Sequence, residues 1–122
     1  MKERMDPIAQ PAMAQAIEAM WVKFLPLMEE RLAILEAAET ALSSGLLTIE
    51  QRVAANTAAH KLAGVLGTFG LTKGTILARE VEILYSAEPE LDPAAAREIK
   101  KITAQLREMI DCRKAASHND CV

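Results

Sequence analysis

The stretch Thr48-Ile49-Glu50-Gln51-Arg52-Val53-Ala54-Ala55-Asn56-Thr57-Ala58-Ala59-His60-Lys61-Leu62-Ala63-Gly64-Val65-Leu66-Gly67-Thr68-Phe69-Gly70 reads as one helix with marked ends. Thr48 and Gln51 have the T-x-x-Q spacing of a capping box, in which the threonine hydroxyl and the glutamine amide satisfy backbone amides that a first turn leaves without partners. At 100° per residue, Ala55, Ala59, Leu62, Leu66 and Phe69 fall on one side, a stripe suited to a core. His60 lies nearly opposite. The outer face around it carries Asn56, Thr57, Ala63, Gly64 and Gly67, all small. Exposed helical positions ordinarily carry Glu, Lys or Arg, and glycine costs about 1 kcal/mol relative to alanine inside a helix. One reading is steric, small side chains leaving the imidazole clear so that a second macromolecule can bring a reactive group up to it; the other is that Gly64 and Gly67 permit close helix packing and His60 is an ordinary solvated histidine.

Working outward, the punctuation is equally specific. Asp6-Pro7 supplies an N-cap and first-turn proline, and Pro26 is expected to close or sharply kink the helix it meets, because a proline nitrogen cannot donate. A first helix is therefore expected from position 7 or 11 to about 24, and a second over about 27–42, with Met28, Leu32, Leu35 and Leu42 on one stripe and a stop at Ser43-Ser44-Gly45. Beyond Gly70, residues 71–86 carry Leu77, Val81 and Leu84 at helical spacing. Asp92-Pro93 repeats the start signal and launches a last helix with Ile99, Ile102, Leu106 and Met109 stepping by three and four. Met5, Met13, Met20 and Met28 read as flexible core filling, and Trp21 as an anchor in the bundle. Short connections favour antiparallel neighbours. The expected fold is all-α, an antiparallel four-helix bundle with an additional N-terminal helix, in a single domain spanning 1–122 with a polar tail from about 115.

Composition excludes several classes. Of 122 residues 22 are Ala and only 4 are aromatic, which disfavours an all-β sandwich. The net charge of −3, from 17 acids and 14 bases without a basic block, argues against nucleic acid or an anionic membrane surface as partner. The longest run without a charge is 11 residues, against the roughly 18 that spanning a bilayer requires. The N-terminus lacks an apolar signal region, so a cytoplasmic location is expected. Cys112 and Cys121 fit no metal or disulfide spacing and are expected as two unpaired thiols in a reducing compartment. No metal site is indicated, and the glycines do not form a nucleotide-binding G-x-x-x-x-G-K-[ST] loop.

Residues 59–71, Ala59-His60-Lys61-Leu62-Ala63-Gly64-Val65-Leu66-Gly67-Thr68-Phe69-Gly70-Leu71, together with Ala78-Arg79-Glu80-Val81-Glu82, resemble the histidine phosphotransfer (HPt) domain. Gly67-Thr68-Phe69-Gly70 is particularly similar to the phosphotransfer domain of bacterial chemotaxis kinases. The resemblance implies a four-helix bundle in which His60 is the phosphoacceptor, Gly64 the glycine that follows it, and Glu82 the group that hydrogen-bonds the imidazole. Chemistry agrees: a neutral imidazole presents one ring nitrogen as nucleophile only when the other holds the proton, and a carboxylate fixes that tautomer. One position departs from the family, which usually carries lysine three residues after the histidine where this chain has Ala63; Lys61 and Lys73 are the nearest lysines.

The function this implies is a phosphoryl carrier in a two-component phosphorelay, not an enzyme with its own ATP site. His60 would exchange a phosphoryl group with a receiver-domain aspartate or a histidine kinase. Mg²⁺ would come with the receiver, and this chain would bind no cofactor. The docking face is expected to comprise Val53, Asn56, Thr57, Lys61, Ala63, Gly64 and Gly67. A degenerate bundle that binds a receiver without turnover is the alternative, with Ala63 as its symptom.

Overall fold

The computed structural model describes residues 9–86 and 91–116. Four helices make up the described chain: α1 Ala9–Ser43, α2 Ile49–Thr68, α3 Thr72–Ser86 and α4 Pro93–Ala116. Each packs against its neighbours around a ring, α1 on α2, α2 on α3, α3 on α4 and α4 back on α1. Side-chain bonds fix their directions. Glu18 and Glu36 of α1 pair with Arg113 and Arg107 of α4, while Asn56 and Ala63 of α2 bond to Glu82 and Thr75 of α3, so in both pairs the chains run antiparallel.

The predicted helix ends are realised locally. Thr48 caps α2, its hydroxyl accepting from the Gln51 amide at 3.0 Å while the Gln51 side chain accepts from the Thr48 amide at 3.0 Å. Asp92 Oδ1 accepts from the Ala95 amide at 2.8 Å and caps α4. Gly45 and Gly70 take the left-handed conformation that ends α1 and α2, with φ of 72° and 74°. Beyond them the Leu46 and Leu71 amides reach back to the carbonyls of Ala41 and Leu66, the bond pattern of a Schellman stop.

The core is built from Met28, Leu32 and Leu35 of α1, Leu62 and Leu66 of α2, Leu77 and Val81 of α3, and Ile99, Ile102, Leu106 and Ile110 of α4. Trp21 anchors one end, 1% exposed. Its ring meets Phe69 edge-on at 5.3 Å, and the Arg113 guanidinium stacks over it at 4.5 Å.

Three expectations are corrected. The additional N-terminal helix is not separate: α1 continues for 35 residues through Pro26. Pro26 and Val22 are both exposed, so the Val22 carbonyl that loses its helical donor lies where water can serve it, and buried Trp21 and Met28 hold the helix on either side. Met13 and Met20 are not core filling, because both lie exposed on α1, off the line of buried Trp21 and Met28; Met5 and the Asp6-Pro7 signal lie outside the described residues. Cys112 is disulfide-bonded and not a free thiol. Cys121, expected as the second unpaired thiol, lies outside the described residues.

Candidate functional site

The contact between α2 and α3 is the most extensive in the bundle. Ala59 and Ala63 of α2 and Ala78 of α3 are buried along it, and their small side chains let the two backbones approach closely. Three clamps then set the register. Arg52 Nε donates to the Tyr85 carbonyl at 2.6 Å, Asn56 Nδ2 to the Glu82 carbonyl at 2.7 Å, and Thr75 Oγ1 to the Ala63 carbonyl at 3.0 Å.

This register delivers Glu82 to His60. Glu82 Oε2 lies 2.9 Å from His60 Nδ1, with the imidazole 65% exposed and the carboxylate 24% exposed. An ionised carboxylate can only accept, so Nδ1 carries the proton of this bond. The opposite ring nitrogen, Nε2, is then the one with a lone pair in the neutral ring. The pair therefore comprises an oriented imidazole whose free nitrogen faces outward.

The remaining predicted residues divide. Val53 is exposed two turns before His60, and Gly64 is exposed one turn after it, with open space where a Cβ would stand. Gly67 is exposed too, although a Cβ there would come within 3.2 Å of Thr75 Oγ1. Thr57 and Lys61 are exposed on the side of α2 toward α1, where they line a shallow depression with Glu30, Arg31 and Ile34. Asn56 is half-buried and spent on the clamp to α3. Ala63 does not belong to the outer face: it is 1% exposed. Three residues advance a helix by 300°, which turns position 63 toward α3 once α3 lies on that flank of His60.

Two exposed residues on α3, Ile76 and Ile83, were missed. They add apolar surface on the outer side of α3, Ile83 directly after Glu82. Their signal was available in the sequence, since both fall off the stripe of Leu77, Val81 and Leu84. Among the described residues no group of three or more His, Cys, Asp or Glu is placed to hold a metal ion, and no helix is long and apolar enough to cross a membrane.

A bundle of this order, with an outward histidine oriented from the next helix, is a phosphotransfer architecture, and residues 19–112 match the Hpt domain family. The chain belongs to that family, whose role is in phosphorelay. It is also 35% identical over 91 residues to Protein RcaC of Microchaete diplosiphon, a match that covers 75% of this chain and 14% of that protein. No solved structure matches.

Proposed function

We propose that this chain is a phosphoryl carrier that accepts on His60 Nε2 and exchanges with the aspartate of a response-regulator receiver domain, or takes its phosphoryl group from a histidine kinase. The observation that carries the reading is the 2.9 Å contact of His60 Nδ1 with Glu82 Oε2 beneath an open outer face. In transfer from an aspartyl phosphate, the Nε2 lone pair forms the P–N bond as the P–O bond breaks and the aspartate leaves as carboxylate. The Nδ1 proton stays in place. The positive charge that develops on the ring is offset by Glu82, a carboxylate already positioned and partly shielded from water.

The receiver docks over Val53, Thr57, Lys61, Gly64 and Gly67, with Ile76 and Ile83 as a second wall, and brings the Mg²⁺ that the phosphoryl chemistry uses. The chain itself contributes nucleophile, orientation and access. The test is to incubate it with a phosphorylated receiver and ask whether label moves onto an acid-labile, base-stable site. His60→Gln should lose all transfer while keeping its helical circular dichroism, because the side chain is largely exposed. Labelling that survives in this variant would overturn the assignment, and receiver binding by the wild type without labelling would leave the adaptor role.

A further inference from the structure

The clamps between α2 and α3 place one more residue beside the histidine. With Arg52 on Tyr85, Asn56 on Glu82 and Thr75 on Ala63, the antiparallel register sets residues 78 and 79 of α3 at the level of His60. Ala78 is buried between the helices, whereas Arg79 is exposed on the outer side. It stands one turn before Glu82. Among the described residues Arg79 enters no ion pair or side-chain hydrogen bond, although Glu80 and Glu82 are within a turn of it.

The nearby lysines are turned elsewhere. Lys61 lines the depression toward α1, and Lys73 lines a hollow between α3 and α4 with Leu77 and Glu108. Arg52 lies on the same seam but two turns away, and it donates to the Tyr85 carbonyl. Phosphorylation of His60 changes the charge balance sharply, because a phosphoryl group carrying nearly two negative charges would then stand beside the Glu82 carboxylate. A cation at that level would offset the repulsion, and a guanidinium offers paired donors that match phosphoryl oxygens. Helices in contact lie about 8–10 Å apart axis to axis, a span an arginine side chain can bridge toward a group projecting from the facing helix.

We infer that Arg79 is the phosphoryl-binding cation of this chain, its guanidinium closing on the phosphoryl oxygens once His60 is loaded. The inference rests on His60 being the acceptor. A partner-free measurement tests it: load the full chain with phosphoramidate, in which the donor P–N bond breaks, ammonia leaves and the P–Nε2 bond forms. The phosphoryl resonance is then titrated by ³¹P NMR. A cation in contact favours the dianion, so wild type should titrate lower than Arg79→Ala and Arg79→Gln by about fivefold in proton affinity, roughly 0.7 of a pH unit. Arg79→Lys should recover part of the difference, and the gap should shrink from about 0.1 M to about 1 M salt as the screening length falls from ~10 Å to ~3 Å. His60→Gln identifies the resonance of His60. If no resonance disappears in that variant, the acceptor assignment fails; if it disappears but its midpoint is the same whatever stands at position 79, Arg79 alone is excluded.

Discussion

Gly64 and Gly74 are both helical glycines, yet a methyl group would meet opposite surroundings at the two. At Gly64 it would meet nothing within 4 Å, while at Gly74 it would come within 2.7 Å of Met109 Sδ and 2.9 Å of Leu66 Cδ1. Gly74→Ala should therefore lower stability by no more than about 1 kcal/mol, since both atoms are movable ends of flexible side chains and alanine regains helix propensity. Gly64→Ala should raise it by up to about 1 kcal/mol through helix propensity alone, and urea unfolding of the two variants checks both signs. Packing thus gives no reason for a glycine at 64; under the proposed function, access to His60 does. Gly64→Gln should fold at least as well as wild type yet slow transfer from a phosphorylated receiver by tenfold or more, a factor of at least ~1.4 kcal/mol in the barrier. Transfer at the wild-type rate would remove the steric account. Glu82→Ala should leave the nucleophile in place and slow transfer less than loss of His60 does, and NMR of the imidazole nitrogens should show the Nδ1–H tautomer losing its dominance.

At the scale of helices, Pro26 gives a direct test of what holds α1 together. Pro26→Ala restores a donor toward the Val22 carbonyl and removes a ring from the helix interior. It should stabilise the bundle by about 1–2 kcal/mol, less than the ~3 kcal/mol helix penalty of proline because the freer unfolded chain takes part of it back. A denaturant midpoint that falls would show that the proline shapes α1 in a way the bundle needs. The same helix marks the limit of what was legible beforehand. The ends at Thr48 and Asp92 could be read because a cap is a bond between residues three apart, and His60 could be placed opposite its own stripe because that angle is internal to one helix. The helix boundary expected at Pro26 was misplaced because burial of Trp21 and Met28 on either side, not local propensity, decides whether the helix continues. Ala63 was misplaced for a related reason: its angle from His60 was right, but which flank α3 covers is a property of two helices together. Glu82 was found through family resemblance, and its contact with His60 depends on Arg52, Asn56 and Thr75, whose targets are backbone atoms on another helix.

Across the whole molecule, the two sides of the bundle are held by different chemistry. The α1–α4 side is ionic: Arg107 bonds Glu29 at 2.8 Å and Glu36 at 3.0 Å, and Lys114 bonds Glu29 at 2.9 Å. Lys114 first and Arg107 next hold the Glu29 carboxyl below its ordinary value. A depressed carboxylate stabilises the fold above its unfolded-state pKa, and that contribution disappears as pH falls through the folded one. Acid should therefore loosen α4 from α1, and Glu29→Gln should flatten the loss of urea stability between about pH 7 and pH 3. An unchanged pH slope in that variant would show that solvent screening has already cancelled the pair. The α2–α3 side behaves otherwise, since each of its three clamps ends on a main-chain carbonyl, those of Tyr85, Glu82 and Ala63. A carbonyl is the same whatever residue carries it. The identities of the accepting residues can therefore drift over generations, Glu82 to an amide for instance, without the two helices sliding out of alignment. Inheritance can retune the reactivity of the histidine while the frame that aims it is passed on intact.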